Sequence, residues 1–324
     1  MPSRAMGALD FPETIAEHKN MSIWKTVVPA VLAAAGVAAA GHFYPPARLF
    51  AMKAMGRATG CPMANALAAR ANLDLQIKIK DEILKTSKLV EDDPAGYHLI
   101  DTPKGRYWIP AGDDYVLPWN LAEEARGVYG AGDRAVRPGD VALDCGANVG
   151  TWTRAALDHG AKLVVAFEPS PENIECYRRN YKNEIAAGRV ILVPKGVWDK
   201  DDVLLLKRDP KNTAADTFVL LKDGSRGIQA PLTTIDEALA ELKIGHIDYI
   251  KMDIEGAEKQ ALAGAAHAIA RDRPRMSIAA EHLATDAVSI PEAVRKLWPE
   301  YTVTCGPCVE TDGGRIRPDV LYFR

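Results

Sequence analysis

The sequence predicts an α/β fold: a mostly parallel sheet with helices on both faces, an antiparallel edge at its C-terminal end, and a helical region in front of it. Three observations predict it. From Gly139 onward, short apolar runs alternate with helical stretches. The runs ending at Asp144, Glu168 and Asp253 each deliver an acid to a turn just before a helix. The C-terminal segment Tyr301–Arg324 reads as two further strands. A chain of 324 residues, 48% hydrophobic and 26% charged, can bury such a core and carry an appendage besides. Its net charge of −3 offers no basic surplus for a nucleic-acid partner.

Residues 1–47 form a first segment. From Thr26 to Ala47 there is no Asp, Glu, Lys or Arg, and Val27–Gly41 is almost entirely Ala, Val and Gly. This length is marginal for a span, which needs about 20 apolar residues. Three readings stay open: a membrane anchor, a cleaved signal peptide starting at Met21 with small residues at Ala38–Ala40, or an Ala-rich helix packed on protein. Arg48, Lys53 and Arg57 follow the run without nearby acid, whereas Asp10, Glu13 and Glu17 dilute the basic residues before it. That asymmetry keeps the C-terminal part in the cytoplasm if the segment spans a membrane.

Residues 48–95 form a second, helical region. Leu73, Ile77, Ile79, Ile83 and Leu84 make an approximate apolar stripe, and Pro94 and Gly96 close it. The third region, 96–324, begins with a hairpin, Tyr97–Thr102 and Arg106–Ile109 around Pro103-Lys104-Gly105, then a helix over Pro118–Tyr129 stopped by Gly130. Core strands follow at Val141–Cys145, Leu163–Phe167, Val190–Val193, Ile247–Met252 and Met276–Ala280. Helices fall at Thr151–His159, Pro171–Tyr181, Ile235–Leu242 and Ala257–Ala270. Thr234 and Glu237 signal the start of one of them as a capping box. Val203–Ala230 is read as an inserted hairpin.

The chemistry gathers at strand ends. Asp144-Cys-Gly-Ala-Asn-Val-Gly150 is a strand-to-helix turn of the kind that binds nucleotides: Gly146 lets a ligand approach the backbone, and the helix start offers free N–H groups. Asn148 stands where the dinucleotide fingerprint G-x-G-x-x-G has its second glycine. Glu168, 24 residues after Asp144 and followed by Pro169, can accept both hydroxyls of a ribose. Adenosine binding is the reading these segments favour, and Asn148 and Pro169 disfavour a nicotinamide oxidoreductase. Lys251, Asp253 and Glu255 alternate along one strand and share a face, where three charges in a plain core would be expensive. Glu281 and His282 end the fifth strand and complete that rim.

Taken together, these segments resemble the FkbM family of S-adenosylmethionine-dependent methyltransferases. The resemblance rests on Asp144–Gly150, Ala166-Phe-Glu-Pro-Ser-Pro171 with Asn173, Thr233-Thr-Ile-Asp236, and Lys251-Met-Asp-Ile-Glu-Gly-Ala257, in the family's order. It covers residues 97–324 and implies a Rossmann-like methyltransferase fold that transfers methyl to hydroxyls of sugars, polyketides and related metabolites. On that reading Asp144, Gly146, Asn148, Gly150 and Glu168 form the S-adenosylmethionine site, with Val197 or Trp198 against the adenine. A hydroxyl acceptor must also lose its proton, and Asp253, Glu255 and His282 are the candidate bases, with Lys251 beside them. His suits a base of near-neutral pKa. No metal is included. A small-molecule or glycan acceptor, no nucleic acid, and a cytoplasmic catalytic domain complete the expectation; a membrane anchor through residues 26–47 fits it better than a signal peptide, since export would part enzyme and donor. A non-catalytic adenosyl-binding or partner-binding module, tethered to a membrane, is the rival on the same fold. Acceptor choice is expected in residues 97–130 and 203–230.

The five cysteines are too few and scattered for a disulfide scaffold, which makes a reducing compartment the default. Cys305-Gly-Pro-Cys308 equals the thioredoxin tetrapeptide, but its flanks read as strand rather than helix, so a hairpin turn is expected there. Zinc lacks partners.

Overall fold

The structure is a computed structural model that describes residues 27–29, 31, 36, 45–209, 212–220, 226–311 and 314–324. Residues 1–56 and 57–324 form two compact units. In the first, α1 runs Pro45–Ala54. Most of residues 26–47, where an anchor or signal was expected, lie outside the described residues. Among the described residues no helix is long and apolar enough to cross a membrane.

The second unit opens with α2 (Met63–Thr86), which buries Ala66, Ala69, Gln76, Lys80 and Ile83. The expected stripe is therefore corrected: Ile77 and Leu84 face outward, 36% and 41% exposed. Ile83 of that stripe does pack in the core with Ile79 against it, and alanines and a hydrogen-bonded glutamine line the rest of the packed face. Strand β1 (Lys88–Asp93) replaces the end of the expected helix and pairs antiparallel with β2 (Tyr97–Thr102). It is held by backbone hydrogen bonds while most of its side chains stay exposed, so no apolar alternation announces it. β3 (Gly105–Pro110) completes that three-stranded sheet. α3 spans Val116–Arg126, shifted toward the N-terminus of the expected helix because Gly127, at φ +65°, ends it in the left-handed region.

Five parallel strands form the centre of the main sheet. They are β4 (Val141–Cys145), β5 (Leu163–Phe167), β6 (Val190–Val193), β10 (Tyr249–Met252) and β11 (Arg275–Ala279). β15 (Val320–Phe323) adds antiparallel to β11, and β12 (Val303–Cys305) adds antiparallel to β15, giving the order β12-β15-β11-β10-β4-β5-β6. Successive residues of each strand feed opposite faces. Leu143, Val165, Phe167, Ile250 and Ile278 pack one face against α7 (Ile235–Glu241), α8 (Glu258–Ala263), α9 (Ala266–Asp272) and α10 (Asp286–Leu297). Ala142, Val164, Ala166 and Tyr249 pack the other against Trp152 of α4 (Thr151–Asp158), Tyr177 of α5 (Pro171–Asn180) and Ile185 of α6 (Lys182–Ala186). The mostly parallel α/β sheet with an antiparallel C-terminal edge is thus the observed architecture.

Smaller adjustments have local causes. Thr234 caps α7 through its Oγ1, which accepts from Glu237 N at 3.0 Å. The single helix expected over Ala257–Ala270 is two, because Asp236 accepts from His267 N and Ala268 N and so caps a fresh start at α9. The inserted hairpin is β8 (Asp202–Lys207) against β9 (Gly227–Thr233), with β7 (Gly196–Val197) beside β9. β13 (Cys308–Thr311) and β14 (Arg315–Pro318) form a ribbon of their own. A disulfide joins Cys61 to Cys308, 247 residues apart, a pairing that cysteine spacing did not suggest.

Candidate functional site

The site forms where β4, β5, β10 and β11 end. Gly146 leaves β4 at φ +79°, and a Cβ there would stand 1.9 Å from the Asp253 carbonyl oxygen, so only glycine fits. Gly146 N and Ala147 N both donate to Phe167 O, which joins the two strand ends. Asn148 is itself left-handed at φ +48° and donates its backbone N–H to Glu168 Oε2 at 2.8 Å. Its side-chain Nδ2 is buried without a partner. Glu168 Oε1 accepts from Ser170 N and Asn173 Nδ2. Burial, opposed by those donors, pushes the Glu168 carboxyl up to about 7.

Beneath the turn, Asp144 and Lys251 face each other across adjacent strands in direct register. Lys251 Nζ lies 3.3 Å from Asp144 Oδ1 and donates to Gly146 O at 2.8 Å. Thr153 Oγ1 donates to the other Asp144 oxygen at 2.7 Å. Burial pulls the Lys251 ammonium down, but Asp144, Asp253 and Glu124 together hold it above its ordinary value. Lys251 is therefore a charged strut for the Gly146 turn.

His282 gathers three carboxylates around its ring. Its Nε2 lies 3.5 Å from both Asp253 Oδ1 and Glu255 Oε1, and its Nδ1 lies 3.2 Å from Glu258 Oε1. Against burial, Glu255 and Glu258 raise its pKa well above 6.5. The ring is thus an imidazolium at neutral pH, which removes the near-neutral base the sequence reading favoured. Asp253 Oδ2 accepts from Tyr129 Oη at 2.8 Å. Glu255 occupies a left-handed conformation at φ +54°, just before Gly256 at +94°, and this aims its carboxyl at the ring. The ligand-type atoms of Asp253, Glu258 and His282 lie within 4.8 Å of one another, and they are the groups that would meet a divalent ion entering here.

These ends face one cavity of about 320 Å³. Gly146, Asn148, Glu168, Val197, Lys251, Asp253, Glu255 and His282 line it. Asp144 and Gly150 do not; Asp144 supports the turn from below, and Gly150 packs where a Cβ would strike the Tyr181 ring at 2.2 Å. Trp198 also stays outside, its ring edge-on to Phe218, which lines the cavity in its place. Both segments expected to govern acceptor choice reach the wall: Tyr115, Trp119 and Glu123 from one, Thr213, Asp216 and Phe218 from the other. Sequence reasoning missed Tyr129, Trp119, Glu123 and Glu258. Glu258 had a weak signal, an acid two residues past Gly256 at a helix start. Tyr129 had none, since its partner Asp253 is 124 residues away.

Carboxyls outnumber cations around this space. Burial pushes Glu124 up to about 8, against Lys251, and Glu281 to about 8, helped by Asp319. A ligand carrying positive charge would relieve that crowding.

Residues 144–302 match the family described as the methyltransferase FkbM domain. A curated relative, the 31-O-demethyl-FK506 methyltransferase FkbM of Streptomyces tacrolimicus, is 29% identical over 169 residues, 44% of this chain. This chain spans 64% of that relative's length. Among solved structures, the methyltransferase FkbM from Methylobacillus flagellatus KT is similar at 19% identity, covering 78% of this chain and 60% of that one, with a TM-score of 0.43. A ribosomal protein L11 methylase from Lactobacillus delbrueckii subsp. bulgaricus is similar at 14% identity, over 63% of this chain and 77% of that one, with a TM-score of 0.37.

Proposed function

We propose that this chain, a methyltransferase of the FkbM family over residues 144–302, transfers methyl from S-adenosylmethionine to a hydroxyl of a sugar, polyketide or similar metabolite. The observation that carries the reading is one cavity lined by two chemically distinct sets of groups: Glu168 with the Gly146 turn, and, packed directly against that turn, Asp253 with Glu255 and His282. The residues fit the donor. Glu168 has accepting capacity left for a ribose hydroxyl, and the unpartnered Asn148 amide offers a donor to a carboxylate. A cation also suits the carboxyl surplus. When bound, S-adenosylmethionine supplies an electrophilic methyl on a sulfonium.

This chain's own residues do the rest. Val197 and Phe218, which line the cavity, would hold the adenine. Tyr115 and Trp119, stacked with centroids 6.3 Å apart, offer an aromatic face to a ring-bearing acceptor. In-line displacement needs the acceptor oxygen held on the methyl axis, so positioning carries much of the rate. Asp253 takes the acceptor's proton at Oδ1, while Tyr129 fixes Oδ2 and the His282 imidazolium keeps the carboxyl turned toward the cavity. The relative from Streptomyces tacrolimicus is named for a 31-O-demethyl compound, which carries a hydroxyl where a methoxy group would stand. The same need for donor places the catalytic unit in the cytoplasm.

The test is methyl transfer by the full chain from isotopically labelled S-adenosylmethionine to a panel of hydroxylated sugars and macrolides. The expected product is a methyl ether that survives base. Label appearing only as a base-labile ester or on nitrogen, or no transfer to any acceptor despite donor binding, would refute hydroxyl methylation.

Donor affinity should also depend on pH. The bound ribose favours the ionised Glu168, whose carboxyl sits at about 7 in the free protein. Binding then releases a proton below that value, and affinity falls as pH drops. From about pH 7.5 to about pH 6 the expected weakening is roughly tenfold, read by calorimetry in two buffers of different ionisation enthalpy. In Glu168→Gln the dependence should flatten. Affinity that tightens toward acid in the wild-type chain would contradict the role given to Glu168.

A further inference from the structure

The turn between β12 and β13 holds three sulfurs together. Cys305 ends β12, Gly306 and Pro307 turn the chain, and Cys308 opens β13. Cys308 is disulfide-bonded to Cys61, just before α2. Both bonded cysteines are buried, Cys61 at 6% and Cys308 at 0% exposure, so a thiol in solution has little access to either. Cys305 is half-buried and its Sγ lies 3.7 Å from Cys308 Sγ. The turn is clamped: Gly306 N donates to Val320 O, and Asp319 N donates to Pro307 O, both at 2.9 Å. α2 is held to the same turn independently, by Asn65 Nδ2 to Gly306 O at 2.7 Å and Asn72 Nδ2 to Cys308 O at 3.1 Å. Movement of the disulfide therefore need not undock the helix.

We propose that Cys61, Cys305 and Cys308 form a thiol–disulfide exchange site through which a dithiol reductant opens the buried Cys61–Cys308 bond. In the first step the Cys305 thiolate attacks Cys308 Sγ. The Cys305–Cys308 bond forms, the Cys308–Cys61 bond breaks, and Cys61 leaves with the electron pair and takes up the proton that Cys305 lost. The new disulfide has its more exposed sulfur at Cys305. A thiolate of the dithiol attacks there and expels Cys308, and the second thiol of the same molecule displaces Cys305. The dithiol supplies two electrons and ends as a cyclic disulfide; the protein ends with three thiols. Burial pushes the Cys305 thiol up to about 11, so proton removal gates the exchange and higher pH accelerates it. The bond so controlled ties down the N-terminal end of α2. Further along that helix, Gln76 donates to Trp119 O and accepts from Arg126, both on α3, the wall of the cavity.

The experiment follows reduction of the folded full chain by dithiothreitol, quenched at intervals by alkylation and mapped by mass spectrometry. The wild-type chain should pass through a species with Cys61 alkylated and Cys305 joined to Cys308. In Cys305→Ser the Cys61–Cys308 bond should survive at least about tenfold longer. Cys305→Ala should behave the same, and in denaturant all three proteins should open at one rate, which separates the folded site from any general effect of the substitution. Equal native rates in wild type and both variants would overturn the proposal, as would a purified wild-type chain whose Cys61 and Cys308 are already free before reductant is added.

Discussion

Asp253→Asn is expected to lower kcat by roughly 10²–10⁴-fold while S-adenosylmethionine binds nearly as before. The amide keeps the size of the carboxyl, and its oxygen can still accept from Tyr129 Oη, which now lies 2.8 Å from Asp253 Oδ2. The backbone oxygen of residue 253, against which Gly146 packs, does not change. What disappears is the carboxylate proposed to take the hydroxyl proton, along with one of the charges facing His282. Steady-state kinetics beside calorimetry separate the two effects. A variant that keeps nearly the wild-type kcat would move the base elsewhere, with Glu255 the next group in line. His282 is a poorer candidate because Glu255 and Glu258 keep it protonated.

Lys251→Met should cost about 3–5 kcal/mol of folding stability, the usual penalty for stranding one member of a buried ion pair. Lys251 is 5% exposed and Asp144 0%. Without the ammonium, Asp144 keeps only the Thr153 hydroxyl, and Gly146 O loses its donor at the turn that lines the cavity. Urea titration at about pH 7 should show the loss. It should shrink toward acid, because protonating Asp144 removes the stranded charge. Pairing the substitution with Asp144→Asn should recover much of the stability at neutral pH, since no unpaired ion then remains. A single variant as stable as the parent would mean that the pair does not hold the turn.

The central strands could be read from the sequence almost to the residue. β4, β5 and β6 fall where expected because strands covered on both faces are continuous apolar runs, and each ends at a polar turn. Glu168 and Asp253 were legible for the same reason: an acid directly after such a run sits at the rim of the sheet. β1 was illegible because its pairing is carried by backbone groups and its side chains remain in solvent. The α2 face was read only in part: Ile79 and Ile83 pack as expected, but alanines and a hydrogen-bonded glutamine complete the face, and no hydropathy pattern marks them.

Roles were harder to read than places. Lys251 alternates with Asp253 and Glu255 along the chain, yet it reaches under the turn to Asp144, a pairing created by the register of β10 on β4. Tyr129 and Trp119 arrive from before the first core strand, and Cys61 meets Cys308 across most of the chain. None of these contacts has a local signature, because each depends on how distant segments meet once the sheet has formed.

The most direct test of the account is a calorimetric titration of the full chain with S-adenosylmethionine, run beside Glu168→Ala. One site per chain is expected in the wild type, with a loss of about 1–3 kcal/mol in the variant, the size of a removed hydrogen bond to a buried polar group. Circular dichroism should show the variant folded. Binding that is absent from a folded wild-type chain, or unchanged when Glu168 is removed, would contradict it.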